Sequence, residues 1–189
     1  MTIANRTPRL WVARHAPPTK TAICYGQTDV EVGVAHDVAA ARLFETYGGD
    51  APVRVWSSPF SRCRAPAEHL AALFSAPLSV ESALSEMHFG DWEGRPWEAI
   101  ATSDAAAHDA WMQNWQTSAP PNGETPSAIE ARVRTWFLGL GGDETHILVA
   151  HSGVVRALRV IAHGRTWPDA MTERVQHLAW ADFPLGPHH

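Results

Sequence analysis

Leu10-Trp11-Val12-Ala13 is a short apolar run that ends abruptly in Arg14-His15, and Pro17-Pro18 then stops any regular element. Such a run reads as a buried strand, with the arginine and histidine where strand gives way to loop. In an open α/β sheet that edge, outside the carboxyl ends of the strands, is where ligands bind. A guanidinium beside an imidazole suits a phosphate group: one grips two oxygens and the other can attack phosphorus. Taken alone, the dipeptide reads better as a surface arginine and a loop-capping histidine.

The later chain changes that balance. His146 to Ala150 is a second apolar run; it ends at His151-Ser152-Gly153, and Val154, Val155, Leu158, Ile161 and Ala162 follow at helical spacing. Between the two lies Val53 to Trp56, then the loop Ser57-Ser58-Pro59, then a helix with Arg62 at its start. Three strand-to-helix switches, remote in sequence, each place His or Arg at the same kind of position. A doubly wound sheet would bring them to one rim.

Between these switches the pattern predicts a helix over Asp37 to Tyr47 closed by Gly48-Gly49, a helix from Arg62 to Phe74, and an extended Pro77 to Val80. It predicts one helix across Pro96 to Trp115 with Trp97, Ile100, Trp111, Met112 and Trp115 on its apolar side. A loop follows from Thr117 to Pro126. A helix opened by Ser127 carries a core stripe of Ile129, Val133, Trp136, Phe137 and Leu140, closed by Gly141-Gly142. Val175 to Phe183 reads as a last strand at the sheet edge, ended by Pro184.

Leu84 to Gly94 packs acids, aromatics and glycines into a stretch suited to a pocket wall. Glu86, beside Met87 and Phe89, would be partly desolvated and suited to hand a proton to a leaving group. Read by itself the segment also fits solvated acids at Glu86, Asp91 and Glu93; His88 reads as a packing residue. The chain from Pro17 to Gly33 is an irregular loop beside Arg14-His15, equally a pocket lining or plain surface. Of the tryptophans, nine in all, Trp92, Trp97, Trp111 and Trp115 fit either an apolar leaving-group pocket or core.

A chain of 189 residues, 45% of them hydrophobic, is expected to form a single domain over 1–189 with a substantial core. A net charge of -5 argues against a nucleic-acid partner. No apolar run is long enough for a membrane, and the polar stretch from Met1 to Arg9 has no signal-peptide core, so a cytoplasmic protein is expected. Cys24 and Cys63 are expected as reduced thiols. His188-His189 reads as the stub of a tag. The many histidines could mean a metal, but no HExxH-like ligand spacing is present, and no metal or other cofactor is expected.

Phosphoryl transfer needs charge neutralisation, an in-line nucleophile and a proton for the leaving oxygen. Arg14 and Arg62 could supply the first, His15 the second and Glu86 the third, with His151 a further donor to the phosphoryl oxygens. At these residues the sequence resembles the histidine phosphatase superfamily, the phosphoglycerate-mutase-like proteins. The resemblance rests on Arg14-His15, on Ser58-Pro59-Phe60-Ser61-Arg62-Cys63-Arg64, on Glu86, and on Ala150-His151-Ser152-Gly153-Val154-Val155-Arg156. Within the superfamily it is most similar to the α-ribazole phosphatases of cobalamin assembly, through Ser85 to Glu93, Ala110-Trp111, Trp115-Gln116, Asn122-Gly123-Glu124 and Tyr25 to Asp29.

The resemblance implies an α/β fold, a three-layer α-β-α sandwich with a mostly parallel central sheet. It implies a metal-independent phosphomonoesterase with His15 as phospho-acceptor, Arg14, Arg62 and His151 as the phosphate pocket, and Glu86 as proton donor. The substrate implied is a small phosphomonoester such as α-ribazole 5'-phosphate, and the chain a monomer or homodimer. A broad-specificity phosphatase, a mutase-like relative and a non-enzymatic phosphate-binding module are the alternatives; the short chain favours hydrolysis over a mutase. The sequence departs from the family at Ala16, where glycine is usual. It also lacks the Ser or Thr and Asn that often follow as phosphate ligands, a place that Gln27 or Thr28 could fill.

Overall fold

A computed structural model describes residues 8–140, 142 and 144–185. Met1 to Thr7, Gly141 and the His188-His189 pair lie outside these residues; the helix expected to close at Gly141-Gly142 already ends at Leu138, with Gly139 at its C-cap.

Five strands form one sheet in the order β3-β2-β4-β1-β5: β1 (Arg9–Arg14), β2 (Arg54–Ser57), β3 (Leu78–Val80), β4 (His146–Ala150) and β5 (Trp180–Pro184). β1 and β2 both run parallel to β4, and β3 runs parallel to β2. β5 alone is antiparallel, at the edge beside β1. The sheet is therefore mostly parallel, and its central strand β4 is buried along its whole length, as a strand covered on both faces must be.

The alternation of side chains along each strand sorts them into two cores. Leu10, Val12, Leu148 and Ala150 face α5 (Pro126–Leu138) and α6 (Ser152–His163), where they meet Ile129, Val133, Phe137, Val154 and Leu158. Ala13, Val55, Ile147 and Val149 face α1 (His36–Thr46) and α2 (Ser61–Phe74), where they meet Ala40, Leu43, Ala67 and Leu70. Helices thus cover both faces, the three-layer α-β-α arrangement expected. Each fully buried Leu, Ile or Phe contributes roughly 1.5–3 kcal/mol of burial free energy, so the two layers hold the strand ends rigidly in register.

A third, smaller cluster surrounds Trp92, Cys24 and Ile100, with Phe89, Trp97 and Trp111 packed on it. It joins the loop after β1 to α3 (Trp97–Ser103) and α4 (Ala105–Asn114). The single helix expected over Pro96 to Trp115 is two helices. The break falls at Asp104, whose backbone (φ -122, ψ 32) leaves the helical range, and its carboxylate is held by Arg95 at 2.7 Å. A short seventh helix, α7 (Trp167–Thr172), precedes the last strand.

Two further expectations are corrected. α1 is not closed by Gly48-Gly49, because Tyr47 already turns extended. The last strand does not begin at Val175: Leu178 adopts a left-handed backbone (φ 52), which breaks the pleat, and pairing with β1 resumes only at Trp180. A left-handed non-glycine residue costs about 1–2 kcal/mol, so the surrounding contacts must impose it. No helix of the described residues is long and apolar enough to cross a membrane.

Candidate active site

β1, β2 and β4 end side by side, and the residues at their carboxyl ends meet there. Arg14 is the last residue of β1, His151 caps α6 directly after β4, and Arg62 lies in the first turn of α2. The rings of His15 and His151 approach edge to face, with centroids 5.2 Å apart. Four of the five expected site residues are buried: His15 at 2% exposure, His151 and Arg62 at 0%, and Glu86 at 9%. Arg14, His15 and Glu86 line a cleft of about 690 Å³ together with Trp97, Trp111 and Trp115, whereas Arg62 and His151 are not among its lining residues.

The tautomer of His15 follows from its partner. Nδ1 lies 2.7 Å from the Ala16 carbonyl oxygen, which only accepts, so Nδ1 carries the hydrogen and the neutral ring presents a lone pair at Nε2. Burial, and then the positive charge of Arg62, push the His15 pKa well below 6.5. The ring is therefore neutral, and Nε2 nucleophilic, at physiological pH. His151 is held below its ordinary value in the same way, by burial first and then by His15 and Arg62. Its Nε2 lies 2.7 Å from the Ser58 hydroxyl. Ala16, where the resemblance leads one to expect glycine, does not need glycine's freedom: it is buried and its backbone is not left-handed.

Arg62 is braced from the loop after β1. One terminal nitrogen, Nη2, donates to the Gly26 carbonyl at 2.6 Å; the other, Nη1, donates to the Thr28 carbonyl at 2.9 Å and to Asp29 at 3.3 Å. The guanidinium also lies over the Phe60 ring, 4.8 Å from its centre, a favourable contact for a cation withdrawn from water. Nε of Arg62 has no hydrogen-bond partner among the described residues, and neither does Nε of Arg14. Gly26 must be glycine here, because a Cβ would stand 2.0 Å from the Met87 carbonyl oxygen.

Glu86 sits in a polar cradle as well as against Met87. Gly153 N donates to both of its oxygens, at 3.0 and 3.2 Å, Met87 N to one at 3.0 Å and the Ser152 hydroxyl to the other at 3.2 Å. Arg132 fixes the segment from below, donating to the carbonyls of Ala83, Ser85 and Glu86.

Gln27 and Thr28 are placed differently from the phosphate ligands the sequence suggested. The Gln27 amide nitrogen donates to the Glu86 carbonyl, and the Thr28 hydroxyl to Glu93 at 2.7 Å; neither side chain lines the cleft. Burial works against the charge on Glu93, but hydrogen bonds from Gln27, Thr28 and Phe89 win and hold its pKa below the ordinary value. Tyr25, Arg156, Arg174 and His177 also line the cleft, and sequence reading did not single them out. The Tyr25 hydroxyl pairs with Arg14. Nε of Arg156 is buried and has no hydrogen-bond partner among the described residues. Arg156 and Tyr25 carried a signal in the sequence only as parts of longer runs, Arg156 as the end of the motif that begins at Ala150 and Tyr25 as the start of the run to Asp29.

A model of the histidine phosphatase superfamily (branch 1) matches residues 10–182. The chain belongs to that superfamily. This histidine phosphatase is 29% identical to an adenosylcobalamin/alpha-ribazole phosphatase of Salmonella typhimurium, over 92% of this chain and 88% of the relative. It is 31% identical to a glucosyl-3-phosphoglycerate phosphatase of Mycobacterium tuberculosis, over 70% of this chain and 64% of that one. In structure it resembles a putative alpha-ribazole-5'-P phosphatase from Escherichia coli, with a TM-score of 0.83 and 25% identity, covering 94% and 90% of the two chains. The histidine phosphatase described here is accordingly a hydrolase of phosphate monoesters.

Proposed function

We propose that this histidine phosphatase works through a phosphohistidine on His15 Nε2, and that α-ribazole 5'-phosphate or a similar small phosphomonoester is its substrate. The observation that carries the reading is the hydrogen bond from His15 Nδ1 to the Ala16 carbonyl, which leaves Nε2 as a lone pair beside buried cationic groups. In the first step that lone pair attacks phosphorus and the P–O ester bond breaks. The departing oxygen takes a proton from Glu86, and the alcohol leaves. In the second step Glu86, now a carboxylate, takes a proton from water as its oxygen attacks phosphorus. The N–P bond breaks, and inorganic phosphate departs.

Arg14, Arg62 and His151 hold the phosphoryl oxygens through both steps, stabilising charge where it develops. Thr28 and Asp29 take both N–H groups of Arg62 Nη1, and Gly26 takes one of the two on Nη2, so Nε–H and the second Nη2–H are the donors left for the phosphoryl group. The leaving group lies along the aromatic wall of Trp97, Trp111 and Trp115, which suits the flat, apolar base of a nucleoside.

A second reading has its own support. Arg156 and Arg174 line the same cleft and would suit a leaving group with a carboxylate, as in a phosphoglycerate derivative. Rates on α-ribazole 5'-phosphate, glucosyl-3-phosphoglycerate and p-nitrophenyl phosphate separate the two: the specificity constant should be highest for the first. Quenching turnover of a ³²P-labelled substrate tests the intermediate. Acid-labile label on the wild type and none on His15→Asn is expected; turnover without label overturns the phosphohistidine.

A further inference from the structure

The segment from Val175 to Leu178 belongs to no regular element, yet three hydrogen bonds tie it to Arg14 and His15. The Val175 carbonyl accepts from Arg14 Nη1 at 2.8 Å. The Leu178 amide donates to the Arg14 carbonyl at 3.0 Å. His177 Nδ1 lies 2.7 Å from the His15 carbonyl and, facing an acceptor, must be the donor. Arg14 and His177 also pair as an isolated parallel bridge, and the left-handed Leu178 ends that pairing. The His177 ring stands 5.4 Å from that of His15, centroid to centroid, and lines the same cleft.

Two successive carbonyls therefore each accept from an imidazole Nδ1. The His15 carbonyl is taken by His177, and the Ala16 carbonyl by the ring of His15 itself. The first bond pins the peptide plane between His15 and Ala16. With that plane fixed, only rotation at Ala16 could swing its carbonyl away from the ring. We propose that His177 is a positioning residue for phosphoryl transfer, holding the backbone that sets the tautomer and direction of the His15 imidazole. The proposal rests on the reading of His15 as phosphoryl acceptor.

The alternative role for His177, direct contact with the phosphoryl group, is a poor match to its chemistry. With Nδ1 donating, the neutral ring has only a lone pair at Nε2, which repels a phosphoryl oxygen. Burial, helped by Arg14 and Arg174, keeps His177 toward that neutral form against the pull of the His15 carbonyl.

Three variants separate the roles. In His177→Asn, the amide nitrogen stands where Nδ1 stood; in His177→Gln, it stands nearer Nε2; His177→Phe keeps a ring with no donor. The rate of phosphoenzyme formation in single turnover should fall on the order of 10- to 100-fold in the Gln and Phe variants, as for a misaligned nucleophile. His177→Asn should restore most of that loss. Inhibition by inorganic phosphate should stay near wild type in all three, since the phosphate ligands are untouched. Recovery by Gln rather than Asn, or weakened phosphate inhibition across the series, would place Nε2 on the substrate and overturn the proposal. So would rates near wild type in all three. Thermal melts identify any variant whose loss is merely unfolding, and Asn against Gln then decides. A His15→Asn enzyme that still turns over would instead overturn the acceptor reading, which the His177 series alone cannot do.

Discussion

The backbone amide of Gly153 donates to both oxygens of Glu86, at 3.0 and 3.2 Å. No side chain fits between the two residues: a Cβ on Gly153 would lie 2.1 Å from Glu86 Oε1 and 3.1 Å from the Ile129 side chain. The nearer atom is the end of a side chain that can rotate away, whereas the helix behind Gly153 is held by core packing. Gly153→Ala should therefore displace Glu86 rather than unfold α6. The expected outcome is a loss of kcat of roughly 10²-fold, the size associated with a misplaced proton-transfer group. The melting temperature should move little. A variant with full activity would show that Glu86 need not occupy its observed cradle.

Replacing Glu86 itself tests which step needs the proton. An alkyl leaving oxygen cannot depart without one, while p-nitrophenolate is a stable anion at neutral pH. Glu86→Gln should slow phosphoenzyme formation from an alkyl phosphate by about 10²- to 10⁴-fold. The same step with p-nitrophenyl phosphate should suffer far less. Rapid-quench measurement of the phosphoenzyme with both substrates gives the comparison. Equal losses on the two would move the proton donor elsewhere.

His15 and His151 link the site to stability. Burial is the main reason that each ring has a pKa below 6.5 in the folded protein, whereas the unfolded chain titrates near 6.5. As pH falls through that value, the unfolded chain takes up protons that the folded one refuses. The stability held by the neutral rings is thus complete above about pH 6.5 and declines below it. The slope approaches 1.4 kcal/mol per pH unit for each ring until its folded pKa is reached. The thermal midpoint should drop between about pH 7 and 5, and more shallowly in His151→Asn, whose replacement does not titrate. An identical slope in wild type and variant would contradict the buried neutral histidine.

Much of the site is legible before any coordinates because a strand buried on both faces must be apolar, so the polar residue that ends it stands out. Arg14, His15 and His151 are visible on that ground, and Arg62 by its place at the start of the helix that follows β2 and its short loop. Their braces are not. Tyr25 and Asp29 stand in a run that resembles the family, but their bracing role does not show in it, and His177 is a single residue in an irregular segment; each acts through a bond spanning many positions, such as the separation of 162 positions from His15 to His177. No periodicity marks such a bond. The helix break at Asp104 was hidden for a different reason: Ala105, Ala106 and Ala107 favour helix, and neither Gly nor Pro announces the interruption. The late start of β5 depends on a left-handed leucine, a conformation that residue type does not advertise.

The tryptophans that the sequence left between core and pocket divide between the two. Trp92 is fully buried and anchors the third cluster with Cys24 and Ile100. Trp111 lies against it edge to face at 5.5 Å, stacks near-parallel on Trp97 at 6.3 Å, and lines the cleft. Their truncations should differ in kind. Trp92→Ala leaves a large cavity and should cost about 3–5 kcal/mol of stability, seen as a lowered denaturation midpoint. Trp111→Ala should act chiefly on recognition, since Trp111 lines the cleft. It should raise KM for α-ribazole 5'-phosphate about 10-fold, with little effect on β-glycerophosphate, which has no ring to stack. A uniform rise on both substrates would show that Trp111 shapes the site without contacting the leaving group, and the preference for a flat aromatic alcohol would then have to come from Trp97 or Trp115.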